Sequence, residues 1–265
     1  MSAPNGARRM PGDHAALPLT SADIADCASS LVDQSVAVLH LHVRDKKYRH
    51  TLDPDRYREA TNAVHKAVGE NMIVQITTEA VGQFEPAEQM EVVRQLRPEA
   101  VSLALRELCA DESAESAAAN FFEWLVRERI WPQYILYSVD DVLRFERFRR
   151  KGLFAEDYPF CMLVLGEYAD SREGEVSDLV AMLEAGADPA PWAVCCFGGH
   201  ENAAALHAAS AGGHVRLGFE NNTQLQDGSQ ALDNSALIAQ FHATRGDDSR
   251  RVATAEEIRE RWLAF

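Results

Sequence analysis

The sequence predicts an α/β fold in which helices cover both faces of a parallel β-sheet. Short apolar runs rich in β-branched residues alternate with longer segments of helical period, which is the pattern of repeated βαβ units. The runs are apolar almost throughout, as expected of strands that are buried on both faces. They predict seven strands, at residues 35–43, 72–78, 100–105, 133–138, 160–166, 192–198 and 214–220.

A closed barrel would need an eighth strand. It would have to precede Asn5, where only residues 1–4 remain, so the first strand is either very short or missing. Crossovers of the βαβ type also fit an open doubly wound sheet. The chain lacks the glycine-rich patterns GxGxxG and GxxxxGK[ST] with which such sheets bind phosphates. We therefore predict a single (β/α)8 TIM-barrel domain over residues 1–265, with a short or truncated first strand.

Capping signals mark several helix ends. The predicted helices cover residues 21–32, 86–97, about 176 to 186, and 255–263. Ser21 suits the N-cap of the first, and Pro86 suits the first turn of the second. Thr254 and Glu257 form a capping box at the start of the last helix.

The composition narrows the range of partners. The chain is 46% hydrophobic and 25% charged, and no apolar run approaches the roughly 20 residues that cross a bilayer. The first eleven residues have no apolar stretch after Arg8 and Arg9, so we expect no secretory signal and a cytoplasmic protein. A net charge of -15 argues against a nucleic-acid partner, because such binding needs clustered cations.

The five cysteines do not predict a disulfide framework or a thiolate zinc site. Their number is odd and no CxxC spacing occurs among Cys27, Cys109, Cys161, Cys195 and Cys196. We expect them to be reduced and mostly buried.

A pair of histidines provides the first indication of chemistry. His40 and His42 are two residues apart on a predicted strand, so both imidazoles project from one face near its C-terminal end. Barrel enzymes assemble their active sites at that end. Two histidines hydrogen-bonded inside a core would give the same pattern, so the pair alone leaves a metal site and a structural role open.

A third ligand would have to come from another strand. Glu220 ends the last predicted strand, which lies near the first strands in a closed barrel. Zinc is commonly held by histidine nitrogen and carboxylate oxygen, with one position left for water or substrate. The polar residues Thr77, Thr78, Ser102 and Arg216 also fall at predicted strand ends.

Several sequence blocks together resemble the β-keto acid cleavage enzymes, in particular the 3-keto-5-aminohexanoate cleavage enzymes. The resemblance runs from about Asn5 to the end of the chain. Its blocks are residues 5–8, His14, residues 17–18, the HLHVRD segment at 40–45, and residues 75–78, 98–103 and 212–222.

The resemblance implies a (β/α)8 barrel that binds zinc through His40, His42 and Glu220. It implies a reaction of a β-keto acid with acetyl-CoA that gives acetoacetate and the CoA ester of the remaining acyl chain. Arg216 is expected near the substrate carboxylate and the acid-base group, and the hydroxyl groups of Thr77, Thr78 and Ser102 are expected near the substrate. A homodimer or homotetramer is also implied.

The chain departs from the family pattern at two positions. Asn221 follows the metal-binding glutamate where the family usually has an aspartate that acts as general base, and an amide cannot accept that proton. Glu79, Glu167 or His200, all near predicted strand ends, could replace it.

The second departure is Arg8, which stands where family members that recognise a substrate ammonium have an acidic residue. We expect Arg8 to select an anionic or neutral polar substrate tail, although a surface arginine near a mobile terminus would look the same. Arg106 is a second candidate anion contact, and pairing with Glu107 is its simpler interpretation.

Two other functions remain open. Because Asn221 replaces a base, the chain could be a zinc-dependent lyase or hydrolase that uses metal-activated water. It could also be a barrel that binds a metal or metabolite without catalysis.

Overall fold

The architecture is a parallel barrel of the predicted α/β class. The computed structural model describes residues 1–167, 172–187, 191–246 and 250–262. Within these ranges, seven parallel strands pair side by side in the order in which they follow one another along the chain. They are β1 (Val38–Leu41), β4 (Ile73–Thr77), β5 (Ala100–Ala104), β6 (Trp131–Leu136), β7 (Phe160–Glu167), β9 (Trp192–Cys196) and β10 (His214–Val215).

The missing eighth strand is a very short N-terminal segment. Ser2 forms parallel bridges to Leu39 in β1 and to Leu217, two residues after β10. The backbone N–H of Ser2 donates to Val38 O, and that of Ala3 donates to Leu217 O, both at 2.9 Å. These bonds join the two ends of the seven-stranded sheet, so the barrel closes through a single bridging residue.

Among the residues that the structure describes, short antiparallel strands and ten helices complete the fold. The hairpin strands β2 (Val43–Arg44) and β3 (His50–Thr51) pair with each other, and β8 (Arg172–Glu173) pairs with β7. The helices are α1 (Ser21–Asp33), α2 (Pro54–Val68), α3 (Pro86–Leu96), α4 (Leu105–Leu108), α5 (Glu115–Arg127), α6 (Val139–Lys151), α7 (Val176–Met182), α8 (Glu201–Ser210), α9 (Asn234–Thr244) and α10 (Ala255–Trp262). Two 3-10 turns, Gly69–Asn71 and Glu112–Ala114, and a π-helical turn, Leu183–Ala187, lie between them.

Two predicted boundaries are wrong in detail. Thr20, not Ser21, is the N-cap of α1, because its side chain accepts the N–H of Asp23. The last strand ends at Val215 and does not reach Glu220, since the chain forms only a single bridge at Leu217 and then bends at Gly218. That residue has φ +148°, and a Cβ there would lie 2.3 Å from the carbonyl oxygen of Ala3.

Other helix predictions are confirmed. Helix α3 spans Pro86–Leu96 and ends in a left-handed Arg97. Thr254 and Glu257 form the predicted capping box at the start of α10 through reciprocal hydrogen bonds. Leu263, the predicted end of that helix, lies outside the described residues.

The core fills the space between the barrel and its helices. All residues of β4, β5, β6 and β9 are buried, as the continuous apolar runs predict. All five cysteines are free, and four of them are buried. No helix within the described ranges is both long enough and apolar enough to cross a membrane.

Candidate active site

The three predicted metal ligands lie together at the C-terminal ends of the barrel strands. His40 Nε2 lies 3.1 Å from His42 Nε2, and Glu220 Oε2 lies 3.5 Å from each nitrogen. Both histidines are buried, and the Glu220 side chain is 12% exposed. One donor atom of each residue lies within 4.8 Å of the others, so the group could hold a metal ion.

Pairing between strands orients the first ligand. His40 on β1 is in register with Gln75 on β4, and Gln75 Oε1 lies 2.8 Å from His40 Nδ1. An amide oxygen only accepts hydrogen bonds, so Nδ1 of His40 carries the hydrogen and donates it. Nε2 of His40 therefore presents its lone pair toward His42 and Glu220.

A buried arginine orients the third ligand. Glu220 lies in the turn after β10, and Arg216 Nη2 is 3.3 Å from its Oε1. The same nitrogen contacts Cys195 Sγ at 3.1 Å. Oε2 of Glu220 accepts no hydrogen bond from any residue that the structure describes. One carboxylate oxygen is thus held by Arg216, and the other is directed at the two histidines.

The N-terminal loop packs directly on the metal ligands. Gly6 has φ +61°, and a Cβ at this position would lie 2.5 Å from Cγ of Glu220. Asn5 Nδ2 donates to the carbonyl oxygen of His42 at 3.0 Å, and Arg44 donates to the carbonyl oxygens of Asn5 and Gly6. Only glycine fits this approach, which explains the Asn-Gly pair in the sequence.

Burial keeps the imidazoles neutral. It lowers the pKa of His40 and that of His50 to about 4, and it lowers the pKa of His42 well below the ordinary histidine value. A neutral imidazole is the form that binds a metal. Near neutral pH these groups need lose no proton before a cation binds.

A polar cavity of about 160 Å³ opens beside the three ligands. Seven of the fifteen described residues that line it have charged side chains. It is lined by Arg8, His40, Thr77, Glu79, Arg106, Glu107, Tyr137, Glu167, Arg216 and Glu220, with apolar contacts from Val81, Ile135, Val164 and Phe197. This combination suits a small substrate with anionic groups.

Four of the residues singled out from the sequence do not contribute to the cavity wall. Thr78, Ser102, Asn221 and His200 are not among the described residues that line the cavity. Thr78 Oγ1 donates to the carbonyl oxygen of Ser102, and His200 Nδ1 contacts that of Gly174. Asn221 is 1% exposed, and neither polar atom of its side chain has a hydrogen-bond partner in the described part of the chain.

Of the alternative acid-base residues, Glu79 lies nearest the ligands. Its Oε2 is 3.9 Å from Nε2 of His42. Burial, together with the nearby charges of Glu220 and Glu107, raises the pKa of Glu79 to about 7. Glu167 also lines the cavity, whereas His200 is turned toward a backbone carbonyl.

Sequence reasoning missed several residues of the site. Tyr137 directly follows β6, and Glu107 lies three residues after β5, so the rule that strand ends carry function would have found both. Gln75 lies inside β4, where its polarity in an apolar run was a signal. His50 belongs to a two-residue strand whose pairing is not visible in the sequence.

Comparisons with known proteins found similar sequences along most of the chain. A family model described as beta-keto acid cleavage enzyme matches residues 1–262. A 3-keto-5-aminohexanoate cleavage enzyme of Fusobacterium nucleatum is 28% identical over 250 residues, covering 92% of this chain and 90% of the relative. A 3-oxoadipate:acetyl-CoA acetyltransferase of Cupriavidus necator is 24% identical over 253 residues, covering 93% of this chain and 88% of the relative.

A solved structure supports the fold. ObcA in a binary complex with oxaloacetate superposes with a TM-score of 0.70 at 16% identity, over 93% of this chain and 67% of that chain. At this identity the likeness concerns the fold. The resemblance seen in the sequence blocks is confirmed by the family match along nearly the whole chain, which therefore belongs to the beta-keto acid cleavage enzyme family.

Proposed function

We propose that this protein cleaves a β-keto acid with acetyl-CoA, giving acetoacetate and the CoA ester of the remaining acyl chain. The observation that carries the proposal is the convergence of His40, His42 and Glu220 beside a cavity lined by arginines. The name of the Cupriavidus necator relative supports it, because that name includes a keto acid and acetyl-CoA.

Zinc is the metal we propose for the three ligands. Zinc-to-nitrogen and zinc-to-oxygen distances of about 2.0 to 2.2 Å give a tetrahedron with edges of about 3.3 to 3.6 Å. Glu220 Oε2 lies 3.5 Å from each histidine nitrogen, which fits such edges, and the 3.1 Å between the two nitrogens is slightly shorter than an edge. Two histidines and one carboxylate also leave a fourth position open, as in catalytic zinc sites.

When bound, zinc would act as a Lewis acid toward the keto oxygen of the substrate. Arg216 would bind the substrate carboxylate, because its guanidinium is buried and lines the cavity wall beside Glu220. The same guanidinium holds Glu220 in place. Arg216 therefore couples the position of the substrate to that of the metal-binding residue Glu220.

We assign proton transfer to Glu79. Asn221 has no group that can accept a proton and does not line the cavity, whereas the Glu79 carboxylate reaches the cavity next to His42. Thr77 Oγ1 accepts the backbone N–H of Glu79 at 3.1 Å and so fixes the start of this loop. Thr77 would then act partly by holding Glu79.

The cavity favours a substrate with an anionic tail. Arg8 and Arg106 line it in addition to Arg216, so a second carboxylate could be bound away from the ligands. We therefore expect a keto dicarboxylate to react faster than an amino keto acid. A preference for the amino substrate would contradict this assignment.

A second function is favoured by Asn221, since the usual base of the family is replaced. In that case zinc-activated water would cleave the substrate without acetyl-CoA. Incubating the protein with a panel of β-keto acids, with and without acetyl-CoA, separates the two functions. Acetoacetate together with a new acyl-CoA supports the first function, and product formed without acetyl-CoA supports the second.

Metal content tests the ligand set. We expect one zinc per chain in the wild type and loss of stoichiometric zinc in His40→Ala and in Glu220→Ala. His65→Ala, a half-buried histidine on α2, is the matched control and should keep its zinc. Retention of zinc by either ligand variant would refute the proposed site.

A further inference from the structure

We propose that His50 is a positioning residue that sets which nitrogen of His42 carries the hydrogen. The inference rests on the proposed metal site and deepens it. His50 lies on β3, in the hairpin that follows the ligand strand, and it is 7% exposed. It does not line the cavity formed by the described residues, so it would act through His42.

The first contact fixes the hydrogen on His50 itself. Its Nε2 lies 3.0 Å from the backbone carbonyl oxygen of Glu79. A carbonyl oxygen can only accept, so Nε2 of His50 must donate. A neutral imidazole has one N–H, and Nδ1 of His50 is therefore left with a free lone pair.

The second contact transmits this choice to the ligand. Nδ1 of His50 lies 3.4 Å from Nδ1 of His42. Because the His50 nitrogen has only a lone pair to offer, the His42 nitrogen must donate. Nε2 of His42 then has no hydrogen and faces His40 Nε2 at 3.1 Å and Glu220 Oε2 at 3.5 Å.

The other histidine ligand is oriented in the same way by a different group. Gln75 Oε1 accepts the N–H of His40 Nδ1, which leaves His40 Nε2 bare as well. Two lone pairs and a carboxylate oxygen then point at one another. These three electron-rich atoms repel one another unless a cation lies between them. The acceptor atoms of Gln75 and His50 therefore prepare the site for a metal.

The hairpin holds His50 rigidly. Residues Arg44 and His50 are paired across β2 and β3, and Arg44 donates to the carbonyl oxygen of Tyr48 at 2.8 Å. The ring of Phe84 packs edge-on against the His50 imidazole with centroids 6.0 Å apart. The position of the acceptor is thus set by backbone pairing and packing.

The test compares two substitutions that differ in the acceptor. His50→Leu removes it, whereas His50→Asn places an amide oxygen near the position of Nδ1. Zinc affinity, measured by competition with a chelator, should fall roughly 10- to 100-fold in His50→Leu, the effect typical of losing an outer partner. His50→Asn should recover most of that loss, and His65→Leu should match the wild type.

Nitrogen-15 NMR of the metal-free wild type gives an independent result that needs no variant. We expect the hydrogen on Nδ1 of His42 and on Nε2 of His50. The inference is overturned if His42 carries its hydrogen on Nε2, or if the leucine and asparagine variants bind zinc equally. If the wild type binds no metal at all, the proposed metal-dependent function is wrong. That result differs from failure of the His50 inference, in which the wild type still binds zinc.

Discussion

The two sides of the cavity are built on different principles. On the ligand side, His40 and Glu220 are each held by one buried partner, Gln75 and Arg216. The rest of the cavity lining, here called the wall, includes charged residues such as Glu107 and Arg106, which are partly or fully exposed. On the ligand side, individual hydrogen bonds hold each side chain in position. The wall, in contrast, acts on a substrate through the combined charge of its residues.

This difference predicts how each side responds to substitution. When one partner of a buried hydrogen bond is removed, the other polar group stays buried without a partner, and the full cost of its desolvation destabilises the fold. Charges near solvent are screened and can substitute for one another. Changes on the ligand side should therefore have larger effects than changes on the wall.

The largest effect is expected for Arg216→Ala. It leaves Oε1 of Glu220 and Sγ of Cys195 without their donor and removes the proposed carboxylate contact. We expect kcat/KM to fall on the order of 10³-fold and the free energy of unfolding to drop by about 3 kcal/mol. Steady-state kinetics and denaturant unfolding measure both quantities.

Arg259→Ala is the matched control for this change. Arg259 is also an arginine in an ion pair, with Glu99, and its side chain is 23% exposed. It does not line the cavity, so this variant should lose stability but keep its kcat/KM. If both arginine variants lost activity equally, Arg216 would have only a structural role.

The next effect concerns the wall residue nearest the ligands. Glu79→Gln keeps the shape of the side chain but removes the proton acceptor, so kcat should fall on the order of 10²-fold while zinc content is unchanged. Rapid measurement of acyl-CoA formation at saturating substrate isolates kcat.

Glu156→Gln is its control. Burial also raises the pKa of Glu156 to about 7, but this carboxyl accepts a hydrogen bond from Tyr134 and lies outside the cavity. A normal rate in Glu156→Gln together with a normal rate in Glu79→Gln would remove Glu79 from the mechanism.

The ligand side was also the more predictable from sequence. His40 and His42 are two residues apart on one strand, so their side chains lie on the same face. This is a local property that can be predicted without knowledge of the partner strands. The seven strands followed from their apolar runs for the same reason. Closure of the barrel was predicted, but the sequence did not decide whether the closing strand is very short or missing, because the single bridges of Ser2 to Leu39 and Leu217 leave no periodic pattern.

Nonlocal contacts account for the rest of what was missed. Glu220 was expected at the end of a strand, but it lies in the turn after Gly218, which packs against Ala3, a residue more than 200 positions away in the chain. The neutral partner Gln75 and the hairpin residue His50 gained their roles only through strand pairing. Residue type and spacing do not encode such pairs.

A smaller effect is expected for an exposed arginine of the cavity lining. Arg8 is exposed, so reversing its charge in Arg8→Glu should raise KM for a keto dicarboxylate about tenfold, or about 1.4 kcal/mol, with little change in kcat. KM for an amino keto acid should fall. Arg127→Glu, an exposed arginine on α5, changes net charge equally and should leave both values unchanged.

The smallest effect is expected for Arg106→Gln. The guanidinium of Arg106 lies over the ring of Tyr137 at 3.8 Å from its centroid, a contact worth about 1 kcal/mol at an exposed site. Arg8 and Arg216 remain to attract an anion, so KM should change less than about threefold. A large increase in KM would mean that Arg106 binds the substrate tail through a specific hydrogen bond. The wall would then depend on single directional contacts, as the ligand side does, and the proposed difference between the two sides would be wrong.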